Sequence, residues 1–397
     1  MRQSVAPTRD LLDRLGSPDR GFSCLLVAGT KGKGSTASLI AAGLLASGRR
    51  VGLYTSPHVE RIQERVRLHG AEIADGVLAG SLEAALRARE EALASRFPSP
   101  AGDATWFDVL TAAALHAMGA AEVEQAVLEC GLGGRLDSTN AVEPVLSVLT
   151  NVELEHTAIL GRTRAAIARE KAGISRPGKP LLSTVGSPGD EAADAVRSVA
   201  ASIGARLIEI DRTGGSGRRM EEENAALAER VLAELGVEVP RDALGRERWI
   251  RSARLPGRLE RGRIGEIPVI LDGAHVPGSL ARVLRELEGA PDLGRGPIVV
   301  FGAGVEKDLG GLLKVLRGRV DRVLCTSLGR GPHASPERLL QEARQVGLAA
   351  QALSDPEDAL DMALRIAGTN GWVLVTGSLH LVGRLRHRLA SLEAHAC

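Results

Sequence analysis

Aromatic side chains are scarce in this sequence. It contains three Trp, one Tyr and four Phe, so that only 2% of its 397 residues are aromatic. Few side chains are therefore available to stack on a flat heteroaromatic ligand. The adjacent pair Trp106 and Phe107 stands out for that reason, although such a pair can equally anchor an amphipathic helix in a core.

A large net charge and clustered cysteines are also missing. The formal net charge is +1, so no whole-molecule field draws the chain to nucleic acid or to a membrane. The four cysteines (Cys24, Cys130, Cys325 and Cys397) stand far apart, which excludes a CxxC metal site and any recognisable disulfide framework. Cys24 and Cys130 fall in apolar, strand-like runs and are expected in the core.

Long apolar runs are absent as well. The first ten residues, MRQSVAPTRD, lack the apolar segment of a secretory signal. The longest apolar stretch, near residues 39–46, falls far short of the roughly 20 residues that a membrane span needs. We therefore expect a cytoplasmic protein with small-molecule partners, without nucleic-acid or membrane partners, and take a monomer as the expected state.

Short apolar runs alternate with amphipathic stretches along most of the chain. In the first part the predicted strands are Cys24–Ala28, Arg50–Tyr54, Gln125–Glu129, Val145–Leu149, Pro180–Ser183 and Arg206–Ile210. The predicted helices are Gly34–Ser47, Gly76–Ala94, Phe107–Met118, Asp190–Ile203 and Glu222–Leu235. This alternation is typical of an α/β fold, a parallel sheet with helices on both faces.

A second cycle of strands and helices follows residues 255–257. Its predicted strands are Pro268–Leu271, Ile298–Phe301, Arg322–Cys325 and Trp372–Thr376, and its helices are Ser279–Leu287, Leu309–Arg317, Pro336–Val346 and Pro356–Ile366. The stretch 239–257 shows no sustained period, so we place the domain boundary there. The sequence predicts a P-loop ATPase domain over residues 1–252 and a smaller Rossmann-like domain over 256–397. The second lacks G-x-G-x-x-G, so NAD is not predicted.

A glycine-rich segment with two lysines, residues 29–35 (GTKGKGS), follows the first predicted strand and precedes a helix. Glycines let backbone N–H groups approach phosphates, the helix N-terminus favours anions, and Lys33 adds a positive charge. The segment departs from the strict P-loop string because Gly34 stands where the first hydroxyl is expected. We predict a site for a nucleoside triphosphate rather than an ordinary glycine-rich turn.

Candidate metal ligands follow three other predicted strands. Ser56 comes after the second strand, Glu129 ends the third, and His156 follows the fourth. Hard oxygen ligands suit Mg²⁺, and ligands of open α/β sheets gather beyond the carboxyl ends of the strands. Each residue taken alone could be a helix cap, a surface carboxylate or a core histidine, so the prediction depends on their convergence with the phosphate loop.

Several longer segments together resemble the folylpolyglutamate synthase/dihydrofolate synthase family, relatives of the Mur ligases. They run in order along nearly the whole chain: GTKGKGS at 29–35, YTSPHVERIQERVRLHG at 54–70, TWFDVLTAAAL at 105–115, LECGLGGRLDSTN at 128–140, ELEHTAILG at 153–161, REKAGI at 169–174, ENAALA at 223–228, LPGRLE at 255–260, LDGAH at 271–275, EKD at 306–308 and VTGSLHLVGRL at 375–385.

The resemblance implies a role for individual residues. The ATP contacts it implies are Gly32, Lys33, Gly34, Ser35, Asn224, Arg258 and Asp272. Two Mg²⁺ ions would be bound with the help of Ser56, Glu129 and His156. Lys171 would be carbamoylated, and catalysis would involve Lys171, His156, Lys33 and His275. The pterin site would be lined by Thr105, Trp106, Phe107, Asp108, Leu136, Asp137 and Ser138.

Two positions depart from the pattern of the family. Val276 stands where many bacterial members have Asn, which removes a side-chain amide next to His275. Lys31 replaces the usual Asn of the phosphate loop and adds positive charge near the phosphates. We expect both changes to leave the remaining site residues in place.

The implied activity is ATP-dependent ligation of L-glutamate to dihydropteroate, to a folate polyglutamate, or to both, through an acyl phosphate. A monofunctional folylpolyglutamate synthase and another Mur-type amino-acid ligase are the alternatives within the enzyme class. From a different class, a nucleotide-driven switch would also use a phosphate loop. The sequence contains no N-K-x-D string for guanine recognition, and a switch would need neither the metal ligands nor a second domain.

Overall fold

The computed structural model describes residues 4–97, 99–186, 189–210, 219–240, 242–290, 292–294, 296–329 and 331–391, so Cys397 lies outside the described residues. Contacts between Cα atoms divide the chain into two compact units, Met1–Arg254 and Leu255–Cys397. Each unit contains its own sheet, eight-stranded in the first and seven-stranded in the second. Both are α/β structures, as the alternation of strands and helices predicts.

The sheet of the first unit has the strand order β4-β3-β2-β5-β1-β6-β7-β8. Its strands are β1 (Ser23–Ala28), β2 (Val51–Tyr54), β3 (Val66–Leu68), β4 (Ala71–Glu72), β5 (Gln125–Glu129), β6 (Pro144–Leu149), β7 (Pro180–Ser183) and β8 (Arg206–Glu209). Strand β1 is parallel to β5 and β6 on either side, and only β3 and β4 run antiparallel at one edge. The carboxyl ends of β2, β5, β1 and β6 therefore lie next to each other.

Helices cover both faces of this sheet. They are α1 (Ala6–Arg14), α2 (Lys33–Ala46), α3 (Asp75–Ala94), α4 (Trp106–Ala120), α5 (Thr157–Leu160), α6 (Arg164–Ala172), α7 (Glu191–Ile203), α8 (Met220–Glu234) and α9 (Ala243–Ser252). Strand β1 is buried on both sides because its side chains alternate between two cores: Leu26 packs in one core, and Leu25 and Val27 in the other. A central strand that is covered on both faces has a continuous run of apolar residues, which explains why β1 could be predicted from the sequence.

The second unit has the strand order β13-β12-β11-β14-β10-β9-β15. Its strands are β9 (Glu260–Ile264), β10 (Ile267–Leu271), β11 (Ile298–Phe301), β12 (Arg322–Cys325), β13 (Ala350–Ala352), β14 (Val373–Thr376) and β15 (Ala390–Ser391). Its helices are α10 (Pro277–Leu287), α11 (Leu309–Leu316), α12 (Pro336–Gln345), α13 (Pro356–Ala367) and α14 (Leu379–Arg386). Strands β10 to β14 pair in parallel, whereas β9 and β15 are antiparallel additions.

The stretch 239–257, in which we place the domain boundary, contains the division between the two units but is not a linker throughout. Helix α9 (Ala243–Ser252) lies within it, and Trp249 is buried in the core that also contains residues of α2 and α8. Its indole Nε1 donates a hydrogen bond to the Leu39 carbonyl oxygen at 3.0 Å. Burial of Trp249 stabilises the helix. Its sequence has no strong helical periodicity, because three arginines and one glutamate among its ten residues interrupt the apolar pattern.

Burial of the cysteines agrees with the expectation from sequence. Cys24, Cys130 and Cys325 are buried, and all three are free thiols. Within the described ranges, the structure has no helix with the length and apolar character required to span a bilayer.

Candidate active site

The phosphate loop lies between the end of β1 and the start of α2, as predicted. Gly29 and Gly32 both have positive φ angles, +151° and +78°. A Cβ atom on Gly32 would approach the Asn224 Oδ1 atom to 2.6 Å, and one on Gly29 would collide with Thr150 Oγ1. Glycine is therefore required at both positions by backbone conformation and by close packing. The contact at Gly32 also brings Asn224, on α8, to the loop.

Side chains and backbone groups following β6 hold this loop in place. The Thr150 hydroxyl donates to the Lys31 carbonyl oxygen at 2.7 Å, and the Lys31 N–H donates to Asn151 Oδ1 at 2.8 Å. The Thr30 hydroxyl oxygen accepts a hydrogen bond from the Glu153 N–H at 3.0 Å. The protein itself thus fixes the loop conformation, which lowers the cost of ordering it around a ligand.

Lys171, on α6, is buried beneath the loop. Its side chain donates to the Gly29 carbonyl oxygen at 2.7 Å, and the residue is 5% exposed. Burial, followed by repulsion from Lys33, lowers the pKa of Lys171 from 10.5 to about 7. A substantial fraction of this amine is therefore neutral near pH 7, and a neutral amine is the form that reacts as a nucleophile.

An ion pair joins the loop to the segment that carries His156. Lys31 Nζ lies 2.8 Å from Glu155 Oε1, and both side chains are largely buried. Burial works to raise the pKa of Glu155, but Lys31, Lys33 and His156 outweigh it and hold that pKa below its usual value. His156 is exposed and adopts a left-handed backbone with φ of 52°, an uncommon conformation for a residue other than glycine.

Ser56 and Glu129 come together at the ends of the neighbouring strands β2 and β5. The Ser56 N–H donates to Glu129 Oε2 at 2.9 Å, and Glu129 is buried. The described residues contain no group of three or more His, Cys, Asp or Glu side chains arranged to hold a metal. The donors present suit Mg²⁺ nevertheless, because that ion commonly takes one or two carboxylates and completes its shell with water and substrate phosphates.

Trp106 and Phe107 occupy different environments. Phe107 packs against the core, with its ring 6.1 Å from that of Tyr54 and close against Gly131. Trp106, the first residue of α4, is 57% exposed. The alternative role, anchoring the helix in the core, therefore applies to Phe107, whereas Trp106 leaves a large aromatic surface available to a ligand.

Several residues predicted to line the pterin site serve the local fold. The buried Asp108 carboxylate accepts hydrogen bonds from Thr8, Ser138 and Thr105 at 2.6 Å each and from the Thr105 N–H at 2.8 Å. Burial favours a higher pKa for Asp108, but these bonds outweigh it and lower the pKa. Thr105 and Asp108 also form the capping box of α4.

Asp137 organises the loop that follows Glu129. Its carboxylate accepts from the Leu132 N–H at 2.8 Å and from the Thr139 hydroxyl at 2.6 Å. Burial raises the pKa of Asp137 even against these hydrogen bonds. Leu136 is partly buried beside it. Asp137 and Phe107 both lie next to Gly131. The carboxylate of Asp137 is already used in hydrogen bonds to its own loop, so a substrate would compete with the loop for it.

The remaining predicted residues belong to the second unit. The buried Asp272 carboxylate accepts from the Leu259 and Ala274 N–H groups at 2.9 and 2.8 Å. Burial raises the pKa of Asp272, although the charge of Arg258 opposes this shift. His275 Nδ1 lies 2.9 Å from the Gly273 carbonyl oxygen. Arg258, Asp272 and His275 thus form one group at the end of β10.

No role was predicted from the sequence for Arg65, which lies next to Trp106. Arg65 is the last residue of a short helical turn before β3. Its guanidinium carbon lies 4.9 Å from the centre of the Trp106 ring. Its Nε donates to His58 Nδ1 at 2.8 Å. The segment 54–70, which contains His58 and Arg65, resembles the family pattern. The sequence of this segment does not indicate that Arg65 contacts Trp106.

Comparisons with known proteins agree with this site. Residues 257–379 match the family described as Mur ligase, glutamate ligase domain. The chain is 36% identical to a probable bifunctional folylpolyglutamate synthase/dihydropteroate synthase of Haloferax volcanii, over 95% of this chain but only 47% of that protein, so it spans about half the length of this relative. It is 34% identical to the dihydrofolate synthase/folylpolyglutamate synthase of Escherichia coli, over 90% of this chain and 85% of that protein.

Solved structures show the same similarity. Escherichia coli FolC in complex with DHPP and ADP has a TM-score of 0.83 and 31% identity, and the match covers 98% of this chain and 93% of that one. A bifunctional folylpolyglutamate synthase/dihydrofolate synthase with Mn, AMPPNP and L-glutamate bound has a TM-score of 0.81 and 31% identity, covering 98% and 94%. With this fold, this site and these relatives, the chain belongs to the folylpolyglutamate synthase/dihydrofolate synthase family of ATP-dependent ligases, within the Mur ligase superfamily.

Proposed function

We propose that this protein forms an amide bond between L-glutamate and two kinds of acceptor, dihydropteroate and folate polyglutamates, at the expense of ATP. The observation that carries the proposal is the meeting of the phosphate loop, buried Lys171 and the Ser56–Glu129 pair at one edge of the first sheet. Support for both acceptors comes from the bifunctional relatives. We also infer that it acts as a cytoplasmic monomer with small-molecule partners only.

Phosphate binding would depend on the loop and on the start of α2. Gly32, Lys33, Gly34 and Ser35 present N–H groups and one ammonium group to the phosphates, and Asn224 approaches the same loop. Phosphoryl transfer needs mainly positioning and charge neutralisation, which these groups supply. The nucleotide contacts of Arg258 and Asp272 and the catalytic role of His275 follow from the resemblance and remain part of this proposal.

Two Mg²⁺ ions are part of the proposal, with Ser56, Glu129 and His156 as the protein ligands. A divalent cation at such a site neutralises phosphate charge and favours attack by an anionic nucleophile. The use of a divalent metal agrees with the Mn ion in a solved relative. The Glu129 carboxylate is fixed by the Ser56 N–H, so its orientation does not depend on an ion.

Lys171 is proposed to carry a carbamate. Addition of CO₂ to its neutral amine would form an N–C bond, open one C=O π bond of CO₂, release one proton and convert the buried neutral amine into an anion. The lowered pKa makes the neutral amine available near pH 7. The new negative charge would lie near the positive charge of Lys33, which removes the present repulsion between the two lysines.

The reaction divides into two steps. An acceptor carboxylate oxygen attacks the γ-phosphorus of ATP, which gives an acyl phosphate and ADP. The free amine of L-glutamate then attacks the acyl carbon, and the tetrahedral intermediate collapses to the amide with loss of inorganic phosphate and a proton. The chain's own contribution is to hold the triphosphate on Lys33 and the loop and to orient the acceptor beside Glu129.

Phosphate release by the purified protein tests this proposal. With ATP, Mg²⁺ and L-glutamate, release should require dihydropteroate or tetrahydrofolate, and omission of glutamate should suppress turnover. Lys33→Ala should abolish release, whereas Lys179→Ala, an exposed lysine at the opposite end of the sheet before β7, should leave it unchanged. ATP hydrolysis that is indifferent to glutamate and to both acceptors would refute the ligase assignment.

A further inference from the structure

The side chain of Lys31, in the phosphate loop, is paired with a carboxylate of the same unit. Its Nζ lies 2.8 Å from Glu155 Oε1, and the two side chains are only 23% and 19% exposed. The Lys31 backbone is held as well, because its N–H donates to Asn151 and its carbonyl oxygen accepts from Thr150. A phosphate group would therefore have to compete with Glu155 for the charge of Lys31.

Glu155 belongs to a segment whose side chains otherwise face solvent. Within residues 153–159, every residue except Glu155 is exposed, and Leu154 and Ile159 are each 60% exposed. The next residue, His156, has a φ angle of 52°, a left-handed conformation that persists only where the surrounding structure holds it. The Lys31–Glu155 contact is thus a largely buried side-chain anchor directly before His156.

The backbone of the same segment is tied to the loop only at an earlier residue. The Thr30 hydroxyl oxygen accepts from the Glu153 N–H at 3.0 Å and also lies 3.4 Å from the Glu153 carbonyl oxygen. Three residues separate this contact from His156. The ion pair at Glu155 therefore extends the attachment of the segment to the loop as far as the position next to His156.

We propose that Lys31 is a positioning residue for His156, which it holds beside the phosphate loop through the pair with Glu155, and that it is not a phosphate contact. This inference rests on the proposed function, in which His156 binds a divalent cation next to the triphosphate. Residues that orient a metal ligand without touching the metal typically contribute about 10- to 100-fold to metal affinity. Lys31 would do so by fixing residue 155, from which the His156 backbone continues.

The possible roles of Lys31 predict different effects of its removal. A lysine that acted on the site only through its charge would repel a nearby cation, so its loss should strengthen metal binding. A lysine that contacts phosphates should, when removed, weaken nucleotide binding even without a metal. A lysine that anchors His156 should leave metal-free nucleotide binding unchanged and should weaken metal binding when it is lost.

Two binding measurements on the full-length protein test the inference. Calorimetry in EDTA gives the affinity for ADP, and electron paramagnetic resonance of free Mn²⁺ gives the metal affinity of the protein saturated with a non-hydrolysable ATP analogue. Lys31→Met should bind metal-free ADP as the wild type does, and its affinity for Mn²⁺ should fall about 10-fold. Lys31→Arg, which can keep the pair with Glu155, should retain most of the Mn²⁺ affinity.

A double-mutant cycle separates an anchor from independent charge effects. If the pair is an anchor, Glu155→Gln should lose as much Mn²⁺ affinity as Lys31→Met, and the double variant should lose no more than either, because the same contact is broken each time. If the two charges acted independently on the metal, their losses would have opposite signs and would cancel in the double variant. Glu153→Gln is the matched control, because it removes an exposed carboxylate of the same segment, and it should bind Mn²⁺ as the wild type does.

Unchanged or tighter Mn²⁺ binding by Lys31→Met would overturn the inference, and so would cancellation in the double variant. A loss of metal-free ADP binding in Lys31→Met would also overturn it, since Lys31 would then be a phosphate contact. His156→Ala examines the proposed function separately. If that variant bound Mn²⁺ as tightly as the wild type, the metal role of His156 would be refuted, and with it the basis of the inference.

Discussion

Lys171 shows how a single side chain couples the site to the stability of the fold. Burial moves its pKa from 10.5 in the unfolded chain to about 7 in the folded protein. The folded state therefore binds fewer protons than the unfolded state between about pH 7 and pH 10.5, so stability rises with pH across that window. Below about pH 7 the full cost of a buried, charged lysine is present.

Replacement of Lys171 should remove its contribution to the pH dependence of the free energy of unfolding. Lys171→Met keeps a similar length without a titrating group, so the rise in the free energy of unfolding between pH 7 and 10 should largely disappear. The shift corresponds to roughly 5 kcal/mol at most. Urea unfolding of the ligand-free protein in CO₂-free buffers measures it, and the exposed Lys179→Met serves as the control. An unchanged pH slope in Lys171→Met would contradict the assignment.

The types of the site residues could be read from the sequence, but their partners could not. Lys33 follows a recognisable strand and Glu129 ends another, and the order of the strands brings both to one edge of the sheet. Lys171 lies on helix α6, and its role was implied only by the family resemblance. The packing of Arg65 on Trp106, 41 positions later in the chain, depends on where a short antiparallel strand and the start of α4 meet. No local pattern encodes such a contact.

Secondary-structure elements were predictable where burial leaves a continuous or periodic apolar pattern. Strands β5, β7, β11 and β12 have the bounds that the sequence predicts. Strands β9 and β13 were missed because they carry a polar or small-residue pattern, ERGRI and AQA, that lacks the signal of a buried strand. Helix α9 was missed for a related reason, since its many charged residues hide the buried Trp249.

Helix α10 lacks a capping side chain at its N-terminus. In the second unit, the other four described helices are capped by Asp308, Ser335, Asp355 and Ser378, whose side chains accept hydrogen bonds from backbone N–H groups. Val276 occupies the corresponding position of α10 in an extended conformation and supplies no such acceptor. The departure from the family pattern at this position thus has a consequence for an element as well as for the site.

Val276→Asn should therefore stabilise the second unit. Asn is among the preferred N-cap residues, and a gained cap contributes about 1 kcal/mol. Denaturant unfolding should show a higher midpoint for Val276→Asn than for the wild type. Val276→Ala, which shortens the side chain without offering an acceptor, controls for loss of the valine. If the asparagine variant gained no more than the alanine variant, the missing cap would not limit the stability of α10.

At the scale of the whole molecule, the anchors of the phosphate loop all lie within the first unit. Thr150, Asn151, Lys171 and Asn224 each contact the loop, and the unit has its own sheet and cores on both faces. A fragment of residues 1–254 should therefore fold alone and bind a non-hydrolysable ATP analogue with Mg²⁺. Circular dichroism should show a cooperative melt, and ligand at about 100 times its Kd should add about 2.7 kcal/mol of stability. The Lys33→Ala fragment should melt similarly but gain nothing from the nucleotide. A fragment that stays unfolded, or that folds without responding to the analogue while the full chain responds, would show that the loop needs more than the first unit provides.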